Sequence, residues 1–338
     1  MNLLTIYIFI GVFGISAILS FLLVKYKHIV RVLDEPNARS HHKVVVPRSG
    51  GIAIFLSFIV GTFMLDIAHN YLFLAPLFII FGLGLYDDIK GISSKKKLLV
   101  TFFSSMLLFF LGFDLERYGH FFGHEVIVPL WFSCLFFSIA CAGFINAVNL
   151  IDGLDGLASF IALIILSAFA YLGFKWNDAF LFNVAVVLIA SIFGFLVFNW
   201  HPAKIFMGDS GSLSLGFVIV LLCVYAIKQQ YITAVSVLLL AALPILDTLI
   251  VMVRRVVNKQ NPFKADKTHI HHIILQQQNK HVVRTVLLMG VWQMLFTYIG
   301  LGFKVRDDVY ILILFLLCFF LFYFSLTPKK RRKGYHVS

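Results

Sequence analysis

The stretch AFLFNVAVVLIASIFGFLVFN, residues 179–199, runs for 21 positions without one charged side chain. A hydrocarbon core about 30 Å thick needs roughly 20 apolar residues in helical form, so this segment reads as a membrane crossing. Working outward with the same ruler divides nearly the whole chain. Apolar spans fall at about 3–24, 50–66, 71–86, 97–113, 127–145, 157–174, 179–199, 211–227, 231–253, 283–303 and 309–326. The pattern predicts an all-α polytopic integral membrane protein with about eleven transmembrane helices. The spans at 71–86 and 97–113 are short enough to tilt or to enter only part-way. The first is followed by many others, which distinguishes it from a cleaved leader.

Composition agrees with the spans. Of 338 residues, 60% are hydrophobic and 13% charged, with a mean hydropathy of +0.94. An ordinary soluble domain is roughly 25% charged, so a soluble enzyme is excluded. Lys and Arg outnumber Asp and Glu by 28 to 16, for a net charge of +12. In a water-soluble chain that excess would suggest a nucleic-acid partner. Here it follows from orientation, because basic residues collect in cytoplasmic loops. With the amino terminus outside, the inner segments are 25–49, 87–97, 146–156, 200–210, 254–282 and the basic cytoplasmic tail 327–338. With Arg284 counted inside, they hold 23 of the 28 basic residues. Residues 1–326 then form a single transmembrane domain with a cytoplasmic carboxyl terminus, and no nucleic acid need be invoked. The four cysteines, Cys134, Cys141, Cys223 and Cys318, lie in apolar runs without a CxxC pair and read as reduced packing residues.

The outer loops are short and featureless, whereas the inner ones carry nearly every acidic pair and histidine cluster. Asp87-Asp88 end the third span, where two like charges at a lipid boundary and a helix carboxyl end are unfavourable unless a cation is near. Lys95, Lys96 and Lys97 follow at once. Asn146, Asn149, Asp152 and Asp155 recur at a spacing of three, which places neighbours on one side of a helical turn. Asp209, Ser210, Gly211 and Ser212 open the eighth span, at a helix amino terminus suited to a phosphate or a carboxylate. Lys264, Asp266, Lys267, His269, His271 and His272 crowd the longest inner loop. Arg39, His41 and Arg48-Ser-Gly-Gly51 lie in the first. Each cluster alone has a plain structural reading as a solvated terminus, a capped turn, an N-cap or a basic loop. Asp247 differs, lying about 10 Å inside the ninth span at 1.5 Å per residue, where a carboxylate is expected to face a cavity.

Oxygen ligands without sulfur beside lysines suit Mg2+, with Mn2+ as the alternative, held partly through substrate phosphates. No GxxxxGK[ST] occurs, which disfavours an ATPase engine. The residues suggest phosphoryl chemistry between a soluble donor and a lipid acceptor. A cation-coupled transporter is the competing class, but its acids would gather near the midplane instead of at one face. A metalloprotease built on the histidines would need bound zinc.

Four segments, Asp34 to Gly51, Asp87-Asp88 with Lys97, Asn146 to Gly156 with Asn199 to Gly216, and Pro262 to His272, resemble in order and spacing the polyprenyl-phosphate N-acetylhexosamine-1-phosphate transferases, glycosyltransferase family 4. The resemblance covers nearly the whole chain. It implies an Mg2+-dependent transfer of N-acetylglucosamine-1-phosphate from UDP-N-acetylglucosamine to undecaprenyl phosphate, with release of UMP. The place is the cytoplasmic face of a bacterial inner membrane. The His269-Ile-His-His272 form resembles the branch that starts O-antigen, enterobacterial common antigen or teichoic-acid assembly, more than the phospho-N-acetylmuramoyl-pentapeptide branch with its three consecutive histidines. Other UDP-N-acetylhexosamines (GalNAc, QuiNAc, FucNAc) remain alternative donors, and both monomer and homodimer stay open.

By motif position the resemblance implies that Asp87 and Asp88 lie near metal and lipid phosphate and that Lys97 balances phosphate charge. It implies that Asn149, Asp152 and Asp155 hold donor and metal, that Asp209 binds Mg2+ directly, and that Asp88 is a further metal ligand. Lys264, His269, His271 and His272 contact the donor, and Asn146, Asp266, Arg39 and His41 complete the expected substrate-binding set.

Overall fold

The structure, a computed structural model, describes residues 3–30, 32–34, 45–65, 71–261, 269–303 and 308–326. In chain order the elements are α1 (Leu3–Lys25), α2 (Lys27–Val30), β1 (Leu33–Asp34), β2 (Val46–Pro47), α3 (Gly50–Met64), α4 (Leu74–Lys90) after a 3-10 turn at Tyr71–Phe73, and α5 (Ser94–Phe110). There follow β3 (Arg117–Phe121), β4 (His124–Ile127), α6 (Leu130–Ile151), α7 (Leu157–Lys175), α8 (Ala179–Asn199) and α9 (Gly208–Lys228). The last are α10 (Val237–Leu240), α11 (Ala242–Val257), α12 (Ile270–Gln277), α13 (Val282–Gly302) and α14 (Asp308–Leu326).

Each predicted span overlaps one long helix, and among the described residues eight helices are long and apolar enough to cross a membrane. The helices α3, α5 and α11, with 15, 17 and 16 residues, fall short of that length. Helices α1 and α14 turn Leu3, Tyr7, Ile10, Tyr310, Leu317, Leu321 and Phe324 outward. Water does not tolerate apolar surface of that extent, and a bilayer does. The chain is a multi-pass membrane protein.

Helix α9 is the axis of the bundle. All of its residues are buried except Asp209, Tyr225, Ile227 and Lys228, and α3, α4, α6, α7 and α8 pack around it. Lipid tails are as apolar as leucine, so close backbone approach and hydrogen bonds drive this packing more than the hydrophobic effect does. Small residues at the start of α9 permit that approach. A Cβ on Gly51 would strike the backbone of Gly211, and one on Gly84 would lie 2.5 Å from the Asp209 carbonyl oxygen. Helices α3 and α4 therefore seat directly on the first turn of α9.

The predicted span 231–253 is broken at Ala241, whose φ of −126° and ψ of 42° leave the helical region. Pro244 explains the break, because it has no N–H to give the Leu240 carbonyl four residues earlier. Fully buried Gln293 and Thr297 of α13 make good the loss. Gln293 Nε2 donates to that carbonyl at 2.8 Å and Thr297 Oγ1 at 3.1 Å, while Gln293 Oε1 accepts from the Leu243 N–H at 3.0 Å. A backbone opened at membrane depth is tolerated when it is satisfied in this way.

The expectation of featureless outer loops fails at 117–127, where β3 and β4 form an antiparallel hairpin with Arg117 opposite Ile127 and His120 opposite Glu125. Fully buried Asp308 anchors it, accepting the His120 N–H at 2.6 Å and the Thr233 hydroxyl. The hairpin strands are too short for a period-two pattern to show in the sequence.

Candidate active site

The site is built around the first turn of α9. Gly208 precedes Asp209 with φ +72°, and a Cβ there would lie 2.5 Å from the Arg48 carbonyl oxygen and 2.7 Å from the Asp88 carboxylate. Only glycine admits both the left-handed backbone and that contact. The first inner loop docks here through its backbone. Strand β2 pairs with β1, Phe206 N–H donates to the Pro47 carbonyl, and Gly50 and Gly51 N–H donate to the Phe206 and Met207 carbonyls at 2.9 and 2.7 Å.

Two of the free N–H groups at this terminus are taken by Asp88. Its Oδ1 accepts from Asp209 N–H at 2.8 Å and its Oδ2 from Ser210 N–H at 2.9 Å. The sequence pointed to this terminus as a phosphate or carboxylate site, and within the protein the carboxylate is Asp88. The positive dipole end of α9 is thus the partner for a negative charge stranded at the carboxyl end of α4. The cation expected beside the acidic pair is Lys97. Its Nζ lies 2.7 Å from Asp87 Oδ2 and also contacts Asp209 Oδ2, whereas Lys95 and Lys96 are exposed. Asn149 Nδ2 completes the link, donating to Asp209 Oδ1 at 2.9 Å and Ser212 Oγ at 2.8 Å.

Asp152 follows α6 at the edge of this group. Burial, then the charge of Asp209, pushes its carboxyl up to about 7, with Asp88 and Asp155 adding to the rise and Arg48 opposing it. Crowded acids with so little positive charge fit a hard divalent cation, which would relieve the repulsion. Gly153 then meets the histidine segment, since a Cβ there would collide with Nε2 of His271. His271 is buried, and its ring stacks near that of His269 at 5.5 Å between centroids and lies tilted to that of His272 at 4.2 Å. Asp247, His269 and His271 bring ligand atoms within 4.8 Å of one another.

Two expected members are engaged elsewhere. Asn146 donates to Thr101 Oγ1 at 3.1 Å and to its own helix at Ala142, so it ties α6 to α5. Asp155 accepts from His201 Nδ1 at 2.7 Å and from Ala203 N–H at 3.1 Å, which fastens the turn after α6 to the segment after α8. Helix α6 ends at Ile151, so the spacing of three lies on one helix only for Asn146 and Asn149, while Asp152 and Asp155 fall in the turn beyond it. Arg39, His41, Lys264 and Asp266 lie outside the described residues. Sequence reasoning gave Arg48 and His201 no role in the site, and it had Ser212 only as part of the α9 terminus. Arg48 had a signal, a basic residue directly before a Ser-Gly-Gly that opens a span.

Over 252 residues, 73% of this chain and 70% of the relative, the sequence is 31% identical to the "Probable undecaprenyl-phosphate N-acetylglucosaminyl 1-phosphate transferase" of Bacillus subtilis (strain 168). The model of glycosyl transferase family 4 matches residues 70–227. The chain belongs to that family. Proteins named "Undecaprenyl-phosphate alpha-N-acetylglucosaminyl 1-phosphate transferase" from Escherichia coli (strain K12) and Yersinia pestis are each 28% identical to it. Those alignments span 95% of this chain and 91% and 92% of the relatives. In this glycosyl transferase family 4 chain the matched region holds α4 to α9, with Asp87, Asp88, Lys97, Asn149, Asp152 and Asp209. The histidine segment lies beyond it and joins the site only through folding.

Proposed function

We propose that the chain transfers N-acetylglucosamine-1-phosphate from UDP-N-acetylglucosamine to undecaprenyl phosphate and releases UMP. The observation that carries this reading is the join of Asp87, Lys97, Asp209 and Asn149 at the first turn of α9, with Asp152 and His271 beside it. The relatives named for this reaction support the choice of substrates. Asp209 and Asp152 would hold Mg2+, which when bound neutralises charge on the donor's diphosphate.

An oxygen of the acceptor phosphate attacks the sugar-bearing phosphorus of the donor, the bond between the two donor phosphates breaks, and UMP leaves with the electron pair. A phosphate monoester is largely a dianion near neutral pH, with a second pKa near 6, so little base assistance is required. The need is for positioning and for neutralising charge. Lys97 supplies positive charge between the two carboxylates, Asn149 fixes the rotamer of Asp209, and Asp88 clamps the α9 terminus against α4. The topology follows in the same reading. All eleven long helices cross the membrane, with the amino terminus outside, so that the carboxyl ends of α4 and α6 and the amino ends of α5 and α9 meet at the cytoplasmic face. The lipid-linked product would prime a surface polysaccharide.

The test is direct. Purified protein supplied with UDP-N-acetylglucosamine, Mg2+ and undecaprenyl phosphate is expected to release UMP and form the lipid diphosphate sugar, and to stop on chelation. No UMP release with any UDP-N-acetylhexosamine overturns the reading. Gly153→Ala gives a sharper check of the pocket. The added methyl must displace the His271 ring, so the KM for the donor is expected to rise about tenfold while the acceptor KM stays within twofold.

A further inference from the structure

Asp247 is 1% exposed and sits one turn beyond the Leu243 amide that Gln293 holds. A carboxylate at that depth persists only with partners that repay its desolvation. It has three. Oδ1 accepts the Ile270 N–H at the start of α12, and Oδ2 lies 3.1 Å from Nδ1 of both His269 and His271. A carboxylate only accepts, so both imidazoles donate from Nδ1, and their Nε2 atoms are left for other partners. The Nε2 of His271 is the atom packed against Gly153, beside Asp152. Among the described hydrogen bonds Asp247 touches nothing in the carboxylate group itself.

We propose that Asp247 is a positioning residue for the transfer reaction: it locks His269 and His271 in the Nδ1–H tautomer and so aims Nε2 of His271 at the bound donor. The inference rests on the function proposed above. The helix break contributes, because Gln293 fixes the start of α11 and hence the depth and direction of Asp247. A zinc ion shared by the same three side chains is the competing arrangement, and it would deprotonate both Nδ1 atoms.

Three measurements test this. Asp247→Asn keeps the shape but cannot accept at both positions, because its amide nitrogen faces donors. It is expected to raise the donor KM at least tenfold, with kcat changed less than threefold and the acceptor KM unchanged. In a His271→Ala background the same substitution is expected to cost less than twofold, since the ring that Asp247 aims at the donor is already gone. An equal cost in both backgrounds would mean a purely structural role and overturns the proposal. Histidine 15N spectra of the unsubstituted protein in nanodiscs are expected to show two Nδ1–H imidazoles, which lose that signature in His269→Ala and His271→Ala one at a time. This readout serves even if Asp247→Asn does not stay monodisperse. Neutral Nε2–H rings, or one equivalent of transition metal by elemental analysis, overturns the assignment. If these spectra appear while no UDP-sugar is turned over, the positioning stands as a fact of the fold and the proposed reaction is what fails.

Discussion

Asp209→Asn is expected to lower turnover by about 10³-fold or more, the scale of losing one preorganised charge contact in a water-poor site. The amide keeps the side chain's size, so the effect reports charge. Lys97 would face either a neutral oxygen or an N–H2 donor, Asn149 would lose its carboxylate acceptor, and the cation would lose an anionic ligand. Asp209 is also the one residue in the first turns of α9 that is not buried, so the substitution leaves the packing of that helix alone. The check is UMP release per enzyme with the variant monodisperse in detergent. Activity within tenfold of the unsubstituted protein would remove Asp209 from the chemistry.

Gly208→Ala is expected to act through the fold, at a cost of about 3 kcal/mol or more. The new methyl meets the Arg48 carbonyl oxygen at 2.5 Å and the Asp88 carboxylate at 2.7 Å, and the residue carries φ +72°. To relieve the contact, either the first inner loop leaves α9 or Asp88 abandons the Asp209 and Ser210 amides. Both outcomes dismantle the site. Thermal unfolding in detergent is expected to show a lower midpoint together with loss of UMP release, and an unchanged midpoint would contradict the close approach.

What could be read from the sequence was what depends on local period and charge. Each long apolar run except 231–253, which is broken at Ala241, became a single long helix, and the acids, lysine and amides that gather at α9 were visible as clusters on one side of a predicted bilayer. The division of labour inside the clusters was hidden. Asp87 and Asp88 are neighbours in the chain, but consecutive helical residues point about 100° apart, so one meets Lys97 and the other the amides of α9. A sequence shows the pair and not the two directions. Asn146 to Asp155 kept its period on paper, but the helix ends at Ile151, and Asp155 lies in the turn beyond it, on His201. Asp247 and the histidines are more than 20 residues apart, joined by a fold in which Gln293, 46 positions after Asp247, repairs the broken helix. No periodicity carries information over such separations.

The central claim is that side chains from α4, α5, α6, α9 and α12, with Asp152 just after α6, form one pocket for a cation-bound nucleotide sugar. The most direct measurement is the anomalous scattering of Mn2+ in crystals grown with UDP-N-acetylglucosamine. The account predicts one manganese peak on the carboxylates of Asp209 and Asp152, with the donor's diphosphate on it and Nε2 of His271 facing the same ligand. A peak held by Asp247 and the histidines, or a donor bound at the hairpin end of the bundle, would contradict it.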